Sequence, residues 1–190
     1  VLYGGRSGEH EISIRSSEAV LQGLDSARYE VQKIFITKDG HWQPRAISPE
    51  RGANPGIDVV FPVLHGTFGE DGTIQGLLEL ANVAYVGCGV LASSVGMDKA
   101  VMKLLFRARG LPVCDWQVIR RREWRTAPRS VGAAIEQTLA YPVFVKPANM
   151  GSSVGISKVH EPAELGAALD QAFGFDRKVL VESAVADAPE

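Results

Sequence analysis

Cysteine is scarce in this sequence. The 190 residues include only Cys88 and Cys114, which are too few for a disulfide framework and form no metal-ligand pair. Two isolated cysteines are typical of a reducing cytosol, where a buried cysteine behaves as a small hydrophobic side chain. We therefore expect a cytoplasmic protein without structural disulfides.

Long apolar runs and an excess of one charge are also missing. No stretch approaches the ~18 residues needed to span a bilayer, and no signal peptide starts the chain. The formal net charge of -2 provides no electrostatic reason to expect a nucleic acid or an anionic membrane as a partner. The local exception is residues 120–129, where five arginines surround Trp124; this segment is predicted to be a solvated loop.

Strand-like and helical patterns alternate over the first half of the chain. Apolar, β-rich runs predict strands at residues 1–3, 31–37, 59–64 and 83–86. Helical patterns follow the first strand and cover residues 73–81, whereas residues 44–57, with three prolines and two glycines, are predicted to be a loop. Uninterrupted apolar strands alternating with helices indicate a parallel, doubly wound α/β sheet with helices on both faces.

The pattern changes at about Met97. Helices are predicted over residues 98–109, over 130–139 with Ser130 as the N-cap, and over 162–172. Strands are predicted at residues 116–119, 143–145, 154–159 and 179–182. We predict a second, smaller α+β domain from about residue 97.

The predicted strand at residues 143–145 runs directly into Lys146 and a loop that contains Gly151, Ser152, Ser153 and Gly155. Glycines let backbone N–H groups approach an anion closely, serine hydroxyls add donors, and the lysine adds a point charge. This pattern favours a polyphosphate held by a loop between two strands. It is not the Walker pattern, in which Gly-x-x-x-x-Gly-Lys-Ser/Thr begins a helix. An ordinary hairpin loop is the alternative.

Three polar or glycine-rich groups follow strands of the predicted parallel sheet, at residues 4–9, 65–71 and 87–89. The carboxyl ends of parallel strands share one edge, where ligands bind in such sheets. Glu9 follows the glycine-rich loop, and a carboxylate there is suited to hold a substrate ammonium. His65 is a candidate substrate contact, with a structural histidine as the alternative.

Neighbouring charged residues have simpler explanations. Glu70 and Asp71 lie between two glycines just before a helix, which favours turn and cap geometry over a paired-carboxylate site. Glu11 in a first helical turn is explained as a partner of the helix dipole. Lys99 also lies at the start of a predicted helix, where the helix dipole makes a cation mildly unfavourable. This favours a ligand-binding role for Lys99, as a second lysine at the phosphate site.

A dinucleotide-binding alternative comes from residues 87–92, Gly-Cys-Gly-Val-Leu-Ala. They match the loose Gly-x-Gly-x-x-Ala fingerprint, with Asp115 downstream as the acidic residue. The motif occurs in a late βα unit, and Asp115 precedes a predicted strand instead of ending one. A nicotinamide enzyme is therefore a minor alternative, and residue spacing supports neither a Ser-His-Asp triad nor a metal-ligand cluster.

In chain order, these motifs resemble those of the D-alanine–D-alanine ligases of the ATP-grasp superfamily. The blocks that carry the resemblance are residues 4–13, residues 64–76, Met97-Asp98-Lys99, Val145-Lys146-Pro147, residues 151–155 and Val181-Glu182. The match covers essentially the whole chain. The His-Gly-x-x-Gly-Glu-Asp-Gly and Gly-Ser-Ser-Val-Gly blocks are specific in combination.

The resemblance implies a Rossmann-like pre-ATP-grasp substrate domain over residues 1–96. It also implies a small ATP-grasp subdomain over 97–178 and the start of a C-terminal ATP-grasp domain at 179–190. We expect the rest of that domain to be missing, because the chain starts without Met inside a strand and stops soon after another. The implied activity is ATP-dependent ligation of two D-alanines through a D-alanyl phosphate, for peptidoglycan synthesis. The 190 residues alone are expected to be inactive.

The resemblance also implies roles for single residues. Glu9 is expected to hold the ammonium of the first D-alanine and to accept a hydrogen bond from Ser152, and His65 to lie near that substrate's carboxylate. The expected ATP phosphate ligands are Lys99 and Lys146, under a loop of Gly151, Ser152 and Ser153. The expected adenine and ribose contacts are Glu182, Ser183, Ala184, Val185 and Glu190, the last of which lies one residue farther along than usual.

Further expectations concern what accompanies these residues. Mg²⁺ or Mn²⁺ is implied as the metal, with its carboxylates in the missing part, and a homodimer is implied as the assembly. The family usually has a longer segment where residues 44–57 stand. The loop that selects the second substrate is also missing, so ligases that accept D-lactate or D-serine are alternatives, as is a non-catalytic ATP-binding module.

Overall fold

The computed structural model describes residues 1–185. The chain divides into two compact units, residues 1–96 and the residues from Met97 onward, and each unit has its own hydrophobic core. Among the helices of residues 1–185, none is both long enough and apolar enough to cross a membrane.

Short strands, most of them paired in parallel, form the centre of the first unit. They are β1 (Leu2–Gly4), β2 (Ile34–Ile36), β3 (Trp42–Gln43), β4 (Val59–Val60) and β5 (Ala84–Tyr85). β1 pairs in parallel with β2 and β4 with β5, while β3 pairs antiparallel with β2. The chain after β4 runs beside β1, because Leu2 N–H donates to Phe61 O at 2.9 Å and Val63 N–H donates to Leu2 O at 2.7 Å. The predicted α/β class is confirmed.

Helices connect these strands and cover them. They are α1 (His10–Gly23), α2 (Thr73–Leu80) and α3 (Val90–Met97). Ile74 and Leu78 of α2 pack with Leu2 of β1 and with the other buried apolar side chains of this unit. Because α1 and α2 follow β1 and β4 along the chain, the loops that precede them lie at the carboxyl ends of these strands.

The second unit contains an antiparallel sheet. In chain order its elements are α4 (Lys99–Ala108), β6 (Trp116–Arg120), α5 (Arg121–Thr126), α6 (Pro128–Thr138), β7 (Val143–Pro147), β8 (Ser157–Val159), α7 (Pro162–Phe175) and β9 (Lys178–Ser183). The strand order is β6-β9-β7-β8, and every pairing is antiparallel. This agrees with the predicted α+β character of the chain after Met97.

Residue alternation along β7 explains which face of this sheet is the core. Val143 and Val145 are fully buried against Ile135 of α6 and Leu169 of α7. Successive strand residues point to opposite faces, so Lys146 lies on the face away from these helices. A strand can therefore bury its valines and still present a lysine to a ligand.

Two local predictions in the second unit were wrong. Residues 120–129 are not a loop: they form the end of β6, the helix α5 and the start of α6. Arg121 Nη2 donates to the carbonyl oxygens of Phe173 and, at 2.9 Å, Asp176, so part of the arginine cluster is structural. The helix α6 begins at Pro128 instead of being capped by Ser130, because proline fits the first helical position, where no N–H partner is needed.

Candidate functional site

Hydrogen bonds tie the loop after β1 to the end of the neighbouring strand segment. Ser7 Oγ donates to His65 O at 2.7 Å and accepts from Glu9 N–H at 3.1 Å. Ser13 of α1 is completely buried, accepts from Gly4 N–H at 2.8 Å and donates to Val63 O at 2.5 Å. The start of α1, and with it Glu9, is therefore held against residues 63–65.

Gly66 brings Glu9 and the histidine segment together. Its φ is +69°, and a Cβ built on it would lie 2.5 Å from Glu9 Oε2. Its N–H donates to Glu70 Oε2 at 2.7 Å. His65 Nε2 and Ser16 Oγ form a hydrogen bond of 2.9 Å. The other ring nitrogen of His65, Nδ1, lies 3.9 Å from Glu70 Oε1. The structure thus gathers the two predicted substrate contacts around one glycine.

The adjacent acidic pair bonds the backbone around the turn before α2, as predicted for turn residues, while the N-cap position itself is Gly72. Asp71 accepts from Phe68 N–H at 2.9 Å and from Thr73 N–H, the first residue of α2, at 3.0 Å. The third predicted group, residues 87–89, leads into α3, whose Ser94 Oγ donates to Asp71 O at 2.9 Å.

The second unit holds Lys99 at the start of α4. Asp98 caps this helix by accepting from Ala100 N–H at 3.1 Å, and Lys99 N–H donates to Ala148 O at 3.0 Å. Lys99 Nζ donates to the carbonyl oxygen of Met150, in the glycine–serine loop. Burial, and after it the ammonium of Lys146, lower the pKa of Lys99 below its ordinary value. Two cations therefore lie close enough to repel each other, and a bound anion would relieve this.

Lys146 and Glu182 face each other across β7 and β9. Lys146 Nζ contacts Glu182 Oε1, and Lys103 Nζ lies 2.9 Å from Glu182 Oε2. Burial by itself raises the pKa of Glu182, but hydrogen bonds and charges from Lys146 and Lys103 outweigh it, so that this pKa lies below its ordinary value. Sequence reasoning missed Lys103; its place one turn after Lys99 in a lysine-containing helix was the available signal.

The glycine–serine loop adopts left-handed backbone conformations. Ser152 has φ 47° and Ser153 has φ 60°, and Val154 N–H donates to Gly151 O at 3.0 Å. A Cβ at Gly155, whose φ is +70°, would lie 2.6 Å from Phe175 Cδ2. The predicted strand at residues 154–159 is therefore shorter, and β8 starts only at Ser157.

The remaining predicted site residues come after Glu182 in the chain, and Ser183 is the last residue of β9. Ser183 N–H donates to Asp115 O at 3.0 Å, and Ala184 N–H donates to Pro142 O at 3.1 Å. Val185 is exposed. Glu190, the predicted ribose contact, lies outside the described residues.

Asp115, the acidic residue of the dinucleotide alternative, forms an exposed ion pair. Its carboxylate is 76% exposed and pairs with Arg107 at 2.8 Å, in the second unit. Its geometry is that of a surface ion pair. The Gly-x-Gly segment at residues 87–89 belongs to the first unit.

Comparisons with known proteins identify the family. The model of the D-ala D-ala ligase N-terminus matches residues 1–54 and 45–88, and the model of the D-ala D-ala ligase C-terminus matches residues 105–190. The two N-terminal matches overlap inside the loop at residues 44–57, where the family was expected to have a longer segment.

Similar proteins include D-alanine–D-alanine ligases and a D-Ala:D-Ser ligase. D-alanine–D-alanine ligases from Solibacter usitatus and Deinococcus radiodurans are 54% and 47% identical over 97% and 100% of this chain. Among solved structures, the VanG D-Ala:D-Ser ligase from Enterococcus faecalis matches with a TM-score of 0.87, and the D-alanine–D-alanine ligase from Coxiella burnetii with 0.84. Each is 34% identical over 97% of this chain.

The chain spans 55% and 60% of the length of these two curated relatives, and 61% and 60% of the two solved chains. Over that span the family models account for nearly every residue, from the glycine-rich loop after β1 to the strand that carries Glu182. This chain belongs to the D-alanine–D-alanine ligase family.

Proposed function

We propose that the protein containing this chain joins two D-alanines to D-alanyl-D-alanine for peptidoglycan synthesis. ATP transfers its γ-phosphoryl group to the carboxylate of the first D-alanine, which gives D-alanyl phosphate and ADP. The amine of the second D-alanine attacks the acyl carbon, and the tetrahedral intermediate expels phosphate as the peptide bond forms. Such chemistry needs positioning and charge neutralisation more than a protein nucleophile.

The observation that carries this proposal is the pair of lysines in the second unit. Burial lowers the pKa of Lys99 and the nearby ammonium of Lys146 lowers it further, while Asp176, Glu182 and Asp98 act in the opposite direction. Two lysines beside a glycine–serine loop supply positive charge and N–H donors for a triphosphate, and a bound anion would stabilise the charged form of Lys99. We assign the ATP phosphates to Lys99, Lys146 and the loop of Gly151, Ser152 and Ser153. The adenine is assigned to residues 182–185.

The first D-alanine is assigned to the first unit. The Glu9 carboxylate, held beside Gly66, pairs with the substrate ammonium, and His65 lies near the substrate carboxylate. We also propose that the glycine–serine loop, with Ser152, closes over the γ-phosphate and keeps water from hydrolysing the acyl phosphate.

The proposed domain roles follow from these assignments. Residues 1–96 form the substrate domain, residues 97–178 form the small ATP-grasp subdomain, and residues 179–190 begin the next ATP-grasp domain. We propose a cytoplasmic homodimer, as the family resemblance implies.

The family implies Mg²⁺ or Mn²⁺ with ATP. Within residues 1–185, no three His, Cys, Asp or Glu side chains lie together in a way that could hold a metal ion. These residues therefore do not fit a metal site by themselves, and none of the steps above is assigned to the ion.

A second candidate is ligation of D-serine as the second substrate. It is favoured by the match to a D-Ala:D-Ser ligase with a TM-score of 0.87. A non-catalytic ATP-binding module is the alternative that explains less, because such a module would not need the Glu9 carboxylate at the sheet edge.

The test is phosphate release from ATP by the full-length protein, with D-alanine, L-alanine, or D-alanine together with D-serine. Release that requires D-alanine and yields D-alanyl-D-alanine supports the ligase. Preferential formation of D-alanyl-D-serine supports the second candidate. ATP binding without D-alanine-dependent turnover refutes both and favours the binding module.

A further inference from the structure

One carboxylate in the second unit is shared by two lysines. Glu182 accepts from Lys146 through Oε1 and from Lys103 through Oε2, the latter at 2.9 Å. Lys103 is only 8% exposed, and its Nζ lies 5.2 Å from the centre of the Trp116 ring. Its charge is therefore compensated by the carboxylate and by the aromatic face instead of by water.

The two lysines differ in where the chain places them. Lys146 is the last residue but one of β7, shortly before the glycine–serine loop. Its side chain is 22% exposed, against 10% for Lys103. Lys103 lies inside α4, one turn after Lys99. Lys146 is thus the more accessible of the two lysines to a ligand, whereas Lys103 is nearly buried in contact with Glu182 and the Trp116 ring.

This difference matters when Lys146 binds a phosphate. The side chain of Glu182 is 13% exposed, and a buried carboxylate that loses its partner is strongly destabilised. With Lys103 in place, the carboxylate keeps a buried cation when Lys146 turns to the ligand. Without Lys103, a Lys146 that turns away to a phosphate would leave Glu182 with neither of these two lysine partners.

We propose that Lys103 is a positioning residue for nucleotide binding: it holds Glu182 charged and in place while Lys146 exchanges that carboxylate for a phosphate of ATP. The identity of the anion rests on the proposed function. Lys103 acts through Glu182 and does not itself touch the nucleotide.

The test compares Lys103→Met, Lys103→Arg and the control Arg107→Met. Arg107 lies on the same helix one turn further along, its Cζ is 4.1 Å from the centre of the same Trp116 ring, and it pairs with the exposed Asp115. The control therefore removes a cation and an aromatic contact from α4 without touching Glu182.

The first readout does not depend on any activity. Titration of the Glu182 carboxyl carbon by NMR in the 190-residue chain is expected to show a higher pKa in Lys103→Met than in the wild type. The reason is that burial raises the pKa of Glu182, and in this variant only Lys146, instead of both lysines, lowers it. The pKa is expected to be unchanged in Arg107→Met. An unchanged pKa in Lys103→Met overturns the pairing on which the proposal rests.

The second readout is the KM for ATP and for D-alanine in the full-length protein. Lys103→Met is expected to raise the KM for ATP about tenfold or more, the usual effect of losing a hydrogen bond to a charged group. The KM for D-alanine is expected to stay within about twofold, and Lys103→Arg to restore ATP binding partly. An unchanged KM for ATP beside a raised pKa of Glu182 overturns the positioning role.

Two further measurements keep the outcome decisive. If Lys103→Met does not fold, the double variant Lys103→Met/Glu182→Gln removes both buried charges. This double variant is expected to bind ATP no more weakly than Glu182→Gln alone. A further loss of ATP affinity on adding Lys103→Met to Glu182→Gln overturns the proposal. If the wild type shows no D-alanine-dependent turnover, the proposed ligase fails by itself. The ATP affinity of the same variants, measured by calorimetry, then decides the role of Lys103.

Discussion

Gly66 leaves open the space that the carboxylate of Glu9 fills. A Cβ at this position would lie 2.5 Å from Glu9 Oε2, and the backbone φ of +69° is one that other residues rarely adopt. The backbone conformation is the main reason for a glycine here, because the Glu9 carboxylate is the end of a flexible side chain and can move away from an added Cβ.

Gly66→Ala is expected to move Glu9 and to strain the backbone. We predict a loss of about 1–2 kcal/mol in the free energy of unfolding, and a rise of about tenfold or more in the KM for the first D-alanine. Denaturant unfolding and steady-state kinetics measure the two effects. The matched control is Gly76→Ala inside α2, where an added Cβ meets nothing within 4 Å and is expected to stabilise by up to about 1 kcal/mol. A substrate KM unchanged by Gly66→Ala would argue against the assigned site.

Glu9→Gln removes the charge that is assigned to the substrate ammonium and keeps the shape of the side chain. We predict that the KM for the first D-alanine rises about tenfold or more while the KM for ATP stays within about twofold. Glu11→Gln is the control, because Glu11 is 65% exposed and pairs with Lys38 at 2.8 Å. Equal changes in both KM values for Glu9→Gln would refute the assignment.

Lys99 gives the chain a pH dependence at alkaline pH. Its pKa is lowered by burial and then by Lys146, from an ordinary value of 10.5. Between the lowered pKa and 10.5, the unfolded chain binds more protons than the folded chain, so the free energy of unfolding rises with pH in this window. Below the lowered pKa, the full cost of burying the charge is present.

Lys99→Met is therefore expected to abolish this alkaline rise. Urea unfolding gives the free energy of unfolding of the wild type and of the variant from neutral pH to about pH 10. The wild type is expected to gain stability relative to the variant as the pH increases. Lys38→Met is a suitable control, because the Lys38 side chain is 66% exposed. Parallel curves for wild type and Lys99→Met would show that Lys99 has an ordinary pKa.

Ser153 holds a left-handed conformation that glycine adopts without strain. Ser153→Gly is expected to stabilise the chain by up to about 1 kcal/mol and to raise the KM for ATP, because the hydroxyl assigned to the phosphate is gone. Thermal or urea unfolding, together with ATP kinetics, measures both. Gly155→Ala is the opposite control, since its Cβ would lie 2.6 Å from Phe175 Cδ2; it is expected to destabilise. A Ser153→Gly variant with unchanged ATP binding would remove this serine from the phosphate site.

Several elements were predictable because local pattern and tertiary environment agree. The apolar run at residues 143–145 contains the buried Val143 and Val145 of β7, and the helical pattern at residues 98–109 corresponds closely to α4. Asp71 accepts hydrogen bonds from the backbone of the turn before α2. Its position in a short segment flanked by two glycines predicts such a turn. Such features depend on contacts a few residues away, which the sequence displays directly.

Other elements escaped the sequence analysis for identifiable reasons. The arginine-rich segment looked like a solvated loop, but Arg121 donates to backbone carbonyls about fifty residues away in sequence, and these contacts leave no local pattern. Lys103 lies in a helix whose sequence does not show which lysine meets Glu182, because that contact spans 79 residues of chain between α4 and β9.

The sequence by itself determined most of the strands and helices, though not β3, α3 or α5. It also determined the change of character at about Met97 and the motifs that resemble a known ligase family. These follow from hydrophobic periodicity and from short blocks of neighbouring residues. Only the tertiary structure decided that Gly66 makes room for Glu9 and that Lys103 shares Glu182 with Lys146. Both depend on side chains that folding brings together from distant positions. The distances between these side chains and their burial determine how they interact, and both are properties of the folded chain.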